Sequence, residues 1–304
     1  MTNQNRAYLF VAISVLFWST VASAFKLALR ELDFIQVLFF STCASTLILF
    51  LILFLSGKTK QLFQQTPRSL LNSSLLGLIN PTLYYLVLFK AYDLLPAQEA
   101  QPLNWIWPIT LSLLSALLLK QSLGKKSIAG IFISFAGVLV ISTRGDLSAV
   151  KFTNLSGDLL AVSSAVIWAF YWIFNLKDSR DPVVKLFQNF FFGSIYNAIV
   201  LLTLSEFTLS PLNGIFCSIY IGLFEMGITF IVWLKALSLA RNSASVANFA
   251  YITPLLSLVF IHFIVGETIL FSSLAGLFLI IGGILLGAIG NARRASSNHS
   301  AAVK

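Results

Sequence analysis

Residues 76–140 and 221–286 of this chain are two diverged copies of one stretch, and that duplication restricts its possible folds more than any other feature. Leu76-Gly77-Leu78 recurs as Ile221-Gly222-Leu223, and Phe89-Lys90-Ala91 recurs as Leu234-Lys235-Ala236. One residue of slippage later, Trp107-Pro108-Ile109 matches Thr253-Pro254-Leu255, and Ala129-Gly130-Ile131-Phe132 matches Ala275-Gly276-Leu277-Phe278. Ala136-Gly137 then matches Gly282-Gly283, and Phe17-Trp18 is answered by Ile167-Trp168. A unit with an odd number of membrane crossings, once duplicated, must return upside down. Inverted repeats of that kind enclose a two-sided cavity at mid-membrane.

The chain is 58% hydrophobic and 10% charged, against about 25% charged in water-soluble domains. Apolar runs long enough to cross a hydrocarbon core begin near residues 7, 33, 70, 97 and 126, and again near 156, 183, 213, 243 and 271. The expected fold is an all-α integral membrane protein with about ten transmembrane helices arranged as two inverted five-helix repeats. The first repeat is expected over 1–145 and the second over 146–290, followed by a polar, disordered cytoplasmic tail at 291–304. Alternating short strands of the kind that build a barrel are absent. Arg6 and Ala22-Ser23-Ala24 together resemble a cleavable signal, but its removal would leave the second repeat without a partner for 156–176, so the first span is expected to be retained.

A net charge of +9 invites a nucleic-acid reading that the charge positions oppose. With the N-terminus in the cytoplasm, fifteen of the twenty Lys and Arg residues fall on the inner side and only Lys26, Arg30, Lys90, Arg144 and Lys151 on the outer. That bias predicts a multi-pass protein of the cell (inner) membrane with both termini cytoplasmic, and no nucleic-acid partner. Cys43 and Cys217 lie in apolar spans and form no disulfide or metal pattern.

Polar side chains at membrane depth are costly and therefore informative. Glu225 lies mid-span in the eighth segment, as a proton acceptor, a partner for a substrate ammonium, or a protonated acid bonded to a neighbouring helix. Its repeat counterpart is Asn80, followed by Pro81, with Tyr84 one turn further along the same face. The fourth span carries Pro96, Pro102 and Pro108, with Asn104, Trp105 and Trp107 between them, as a helix lining a wet cavity would. Glu99, close to the surface, is expected to be solvated. In the ninth span Asn248, Tyr251, Leu255 and His262 share a face at helical spacing. Trp18 and Trp168 occupy matching mid-span positions, and Tyr171 follows Trp168. The candidate substrate-binding residues are thus Trp18, Asn80, Tyr84, Asn104, Trp107, Trp168, Tyr171 and Tyr251, with Glu225 and His262 as candidates for proton coupling. No catalytic residues, metal or cofactor are expected. The small residues Gly130, Ala136, Gly137, Gly276, Gly282, Gly283, Gly287 and Gly290 suggest a scaffold or a homodimer contact through the fifth and tenth helices.

Ten spans in five-plus-five repeats, Trp18-Ser19, proline-centred fourth and ninth spans, Gly266-Glu267 and a Gly-rich last helix resemble the drug/metabolite transporter superfamily, and within it the EamA-type repeat. Two departures stand out: Lys120-Gln121 replaces the usual Gly-Glu in the first repeat, and 34–41 lacks the arginine common in the second span. Residues 104–108 and 167–172 are similar to segments of the aromatic amino-acid exporter branch, which implies that Trp107 and Trp168 flank the substrate passage. The resemblance implies a secondary transporter of small organic metabolites, amino acids with bulky or aromatic side chains among them, working by alternating access with proton coupling. A nucleotide-sugar or sugar-phosphate exchanger, a membrane-embedded enzyme and a passive channel are the alternatives. Reporter tags fused to each terminus are predicted to read out on the cytoplasmic face together; tags on opposite faces would refute the even number of spans.

Overall fold

Helix starts in this chain are set by residues that satisfy the first free backbone N–H groups. Asp33 Oδ1 accepts from the amides of Ile35 (2.7 Å) and Gln36 (3.0 Å), opening the second pass. Asp181 does the same at the start of the seventh, its counterpart in the duplication, for Val183 (2.9 Å) and Val184 (3.3 Å), with Pro182 in the first turn. Asn154 and Thr66 cap the sixth and third passes. The computed structural model describes residues 2–118, 124–146, 154–205, 211–240 and 248–302.

Ten passes follow in series. The first repeat comprises α1 (Asn3–Leu29), α2 (Phe34–Leu55), α3 (Pro67–Gly77) continuing through a π turn (Leu78–Leu83) into α4 (Tyr84–Leu94), the broken pair α5 (Ala97–Asn104) and α6 (Trp107–Leu118), and α7 (Lys125–Ser142). The second comprises α8 (Leu155–Leu176), α9 (Pro182–Leu204), α10 (Leu212–Ile221) joined by a π turn (Gly222–Gly227) to α11 (Ile228–Leu239), a ninth pass of 3₁₀ turn (Asn248–Tyr251), α12 (Ile252–Phe260) and π turn (Ile261–Val265), and α13 (Phe271–Ala302). Eight of these passes are long and apolar enough to cross a membrane, the third and eighth of them through a π turn; the fourth is broken and the ninth is shorter. No strand occurs among the described residues.

The pairing of passes reproduces the duplication. α2 packs on α9 and α7 on α13, each pair joining a helix to its own copy. α4 packs on α8 as α11 packs on α1, and α6 on α8 as α12 on α1, so the main cross-repeat contacts come as exchanged pairs. Five passes per repeat make the second copy antiparallel to the first. The ends sort accordingly. Arg30, Glu99, Arg144 and Val265 meet at one face, where Arg144 Nε donates to Glu99 Oε1 at 2.7 Å and Arg30 Nη2 to the Val265 carbonyl at 2.7 Å. Lys58, Asp178, Arg180 and Asp181 meet at the other, with a Lys58–Asp181 ion pair of 2.6 Å. There, burial pushes the Asp178 carboxyl up, but the hydrogen bonds and charge of Arg180 outweigh it and hold the group below the usual carboxylate range.

One sequence expectation changes. Glu99 is not solvated: it is fully buried, and Arg144 supplies its counter-charge. Lys120-Gln121, Lys151 and Arg241 lie outside the described residues, as does the Asn248 side chain.

The Gly-rich fifth and tenth passes approach backbone to backbone. A Cβ on Gly130 would overlap the Gly283 carbonyl and one on Gly283 the Gly130 carbonyl; Gly137 and Gly276 are opposed in the same way. These four glycines are occupied within one chain, as scaffold. Gly282, their neighbour, faces open space. Gly283→Leu is therefore predicted to destabilise the purified protein by about 1–3 kcal/mol through overpacking, whereas Gly282→Leu leaves its melting temperature unchanged; equal effects in thermal unfolding would refute the contact.

Candidate functional site

The interruptions in the helices surround one cavity. In the third pass, Pro81 supplies no N–H and disfavours helical backbone at the preceding residue, so Asn80 is extended (φ −146°, ψ 120°) inside the π turn. The matching π turn of the eighth pass carries Glu225, and such turns expose side chains that a regular helix would stack away. In the fourth pass, α5 ends at Asn104 and α6 restarts at Trp107 with Pro108 in its first turn. That break presents Asn104, Trp105 and Trp107 inward.

The cavity holds about 100 Å³ of water-accessible space and is walled by α1, α4, α5, α8, the eighth pass and the ninth. All six tryptophans of the chain line it: Trp18, Trp105, Trp107, Trp168, Trp172 and Trp233. Trp168 is the hub, with its ring 4.7 Å from Tyr84, 5.7 Å from Phe230, 5.8 Å from Tyr171 and 5.9 Å from Trp172. Trp18 meets Trp233 at 5.3 Å and Phe230 at 6.2 Å on the opposite wall. Among the described residues Glu225 is the single carboxylic acid in the lining, and no Lys or Arg joins it.

Hydrogen bonds fix the polar members. Tyr85 Oη donates to Glu225 Oε1 at 3.2 Å, and the Trp18 indole N–H points to the Glu225 carbonyl at 3.5 Å. Tyr84 Oη donates to Asn104 Oδ1 at 3.4 Å while Asn104 Nδ2 donates to Ser164 Oγ at 2.8 Å, tying the broken fourth pass to α4 and α8. Two buried lining atoms have no protein partner: Gln101 Oε1, an acceptor, and Trp172 Nε1, a donor. Buried polar atoms are almost always paired, so these two are available to a solute.

Of the residues singled out from sequence, Trp18, Tyr84, Asn104, Trp107, Trp168 and Glu225 come together in this lining. Tyr171 stands directly behind Trp168, its hydroxyl receiving Asn189 Nδ2 at 3.4 Å. Asn80 is buried outside the lining, in the π turn packed on α9, where Gly193 leaves room for the Pro81 ring. Tyr251 is half-buried and also outside it. His262 is exposed, bonded through Nδ1 to the Glu267 carbonyl at 2.9 Å, and faces away from the cavity. The shared face read across 248–262 does not survive because the ninth pass changes from 3₁₀ to α to π winding, and each change rotates later side chains. Trp105 entered the sequence reading only as part of the fourth span's cavity-lining stretch, and Trp172, Trp233 and Gln101 were not candidates. Trp172 had a signal, lying one turn from Trp168 on the same face; Trp233 had none, since its repeat counterpart is Leu88.

No cluster of three or more potential metal ligands occurs among the described residues. Because the tryptophans face the cavity, phospholipids brominated on their acyl chains are predicted to quench the intrinsic fluorescence only weakly; strong quenching would place the indoles against lipid.

A model of the EamA-like transporter family matches the chain twice, over residues 5–143 and 155–288. A protein of Archaeoglobus fulgidus named as an uncharacterized transporter is 27% identical over 289 residues, covering 93% of this chain and 97% of its own. Uncharacterized transporter YyaM of Bacillus subtilis is 23% identical over 250 residues, 80% of each chain. The aromatic amino acid exporter YddG of Ancylobacter novellus is 26% identical over 152 residues, 49% of this chain and 53% of that one. A solved crystal structure 20% identical superposes with a TM-score of 0.66 across 95% of this chain and 98% of that one, a likeness of fold.

Proposed function

The chain belongs to the EamA-like transporter family, and we propose that it is a secondary transporter of small organic solutes, amino acids with bulky or aromatic side chains in particular, that works by alternating access. The observation that carries this reading is the central cavity walled by six tryptophans with Glu225 as its one carboxylic acid among the described residues. Aromatic faces offer a flat solute both apolar contact and attraction for a cation. A solute ammonium would meet Glu225 and Gln101 Oε1, and a solute carboxylate the free Trp172 indole N–H. The partial likeness to an aromatic amino acid exporter points the same way.

Nucleotide sugars and sugar phosphates fit less well, because phosphate recognition calls for Lys or Arg and the lining contains neither among the described residues. The cavity of about 100 Å³ is smaller than the roughly 300 Å³ at the low end of small-molecule pockets. Solute entry therefore requires the walls to part, as rocking of one repeat against the other would achieve. The lysine and arginine bias supports a cell-membrane protein with both termini in the cytoplasm.

Purified protein in liposomes is expected to accumulate labelled tryptophan or phenylalanine under a proton gradient. Trp168→Ala should cut uptake by at least tenfold, since it removes the ring that four other aromatic side chains contact. Glu225→Gln should abolish the accompanying proton flux. Undiminished flux in Glu225→Gln would remove that residue from coupling, and a panel of amino acids without any uptake would remove the substrate class.

A further inference from the structure

One carboxylate outside the cavity ties the two repeats together at the face that carries Arg30 and Arg144. Gly266 ends the ninth pass in the left-handed region (φ 82°), which glycine adopts without strain, and this turns the chain toward α5. Glu267 then accepts from the first amides of that helix: Oε1 from Ala97 at 2.8 Å and Oε2 from Gln98 at 3.1 Å. Those N–H groups have no partner within α5, and the helix dipole favours negative charge there. Gln98 closes the contact in return. Its Nε2 donates to the Thr268 carbonyl at 2.9 Å, and its Oε1 accepts from Leu270 N at 2.8 Å and Ser273 Oγ at 3.1 Å. Each of these bonds runs from the first repeat to the second.

The seam lies between the cavity and that face. Gln101, one turn further along α5, lines the cavity. Leu95, Ala97 and Ala100 beside the seam are at most 1% exposed, so solvent is excluded from the seam itself.

We propose that Glu267 and Gln98 are positioning residues of the transport cycle, forming a latch that closes the cavity at the Arg144 face. The role in a cycle rests on the transporter reading; the latch itself concerns access to the cavity alone.

Access is measured with a single cysteine reporter, Ala22→Cys, in the cavity wall of full-length protein whose Cys43 and Cys217 are changed to serine. A charged, membrane-impermeant methanethiosulfonate is added separately to each side of sealed vesicles. Glu267→Gln is expected to speed labelling from the Arg144 face by about fivefold, the scale of one lost helix cap, and Gln98→Ala to act in the same direction. Unchanged labelling in variants that melt like the parent would overturn the proposal. Should Glu267→Gln fail to fold, Gln98→Ala decides, since it leaves the carboxylate cap in place. Solute flux in the same vesicles is read independently: faster labelling without any flux keeps the latch and refutes the transport reading, whereas flux with unchanged labelling refutes only the latch.

Discussion

Backbone N–H and C=O groups in hydrocarbon have no water to turn to, so they must be satisfied inside the protein. That requirement decides where this chain can leave the α-helix. Its departures are the π turns at Leu78–Leu83 and Gly222–Gly227, the break between Asn104 and Trp107, and the 3₁₀ turn at Asn248–Tyr251. They occur in the third, fourth, eighth and ninth passes, all four of which contribute side chains to the cavity wall. The second, fifth, seventh and tenth passes are unbroken helices with no described residue in the wall, whereas the first and sixth, also unbroken, supply Trp18 and Trp168 to it. Each pass that leaves the α-helix thus contributes to the site, and two regular helices complete it.

Duplication supplies the scaffold twice and lets the site diverge. Gly77 lies against the Asn189 carbonyl of the seventh pass as Gly222 lies against the Ser41 carbonyl of the second, so the same close approach is made once per repeat. The side chains on this common frame differ. Asn80 and Glu225 occupy matching π turns, yet only Glu225 reaches the cavity, because Pro81 holds Asn80 in an extended conformation packed toward α9. Trp105 faces Tyr251 in the alignment of the copies, and Trp107 faces Thr253. The cavity is in consequence more aromatic on the side of the fourth pass than on that of the ninth.

The same divergence explains the charged residues near the membrane surface. Arg144 with Glu99, Arg30 with the Val265 carbonyl, and Lys26 with the carbonyls of Tyr92 (2.7 Å) and Leu95 (2.9 Å) gather at one face. Charges this close to hydrocarbon need partners, and these bond one another or helix-end carbonyls that lack intrahelical donors, with Glu99 Oε2 left unpaired.

Fold class, the number of passes, their duplication and the aromatic character of the site were legible in the residues themselves. Membrane helices announce themselves by composition, and a repeat by spacing. Mid-span placement was enough to select Trp18, Trp168 and Glu225, because polarity and indole rings are rare at that depth. Tertiary structure alone decided which of the polar residues meet. His262 and Tyr251 left the site when the winding of the ninth pass changed, a rotation that no helical periodicity encodes. Trp233 and Gln101 entered it through contacts between passes distant in the chain. Glu99 and Glu267 found their partners the same way, since a side chain's depth follows from its own helix whereas its neighbours depend on how ten helices pack.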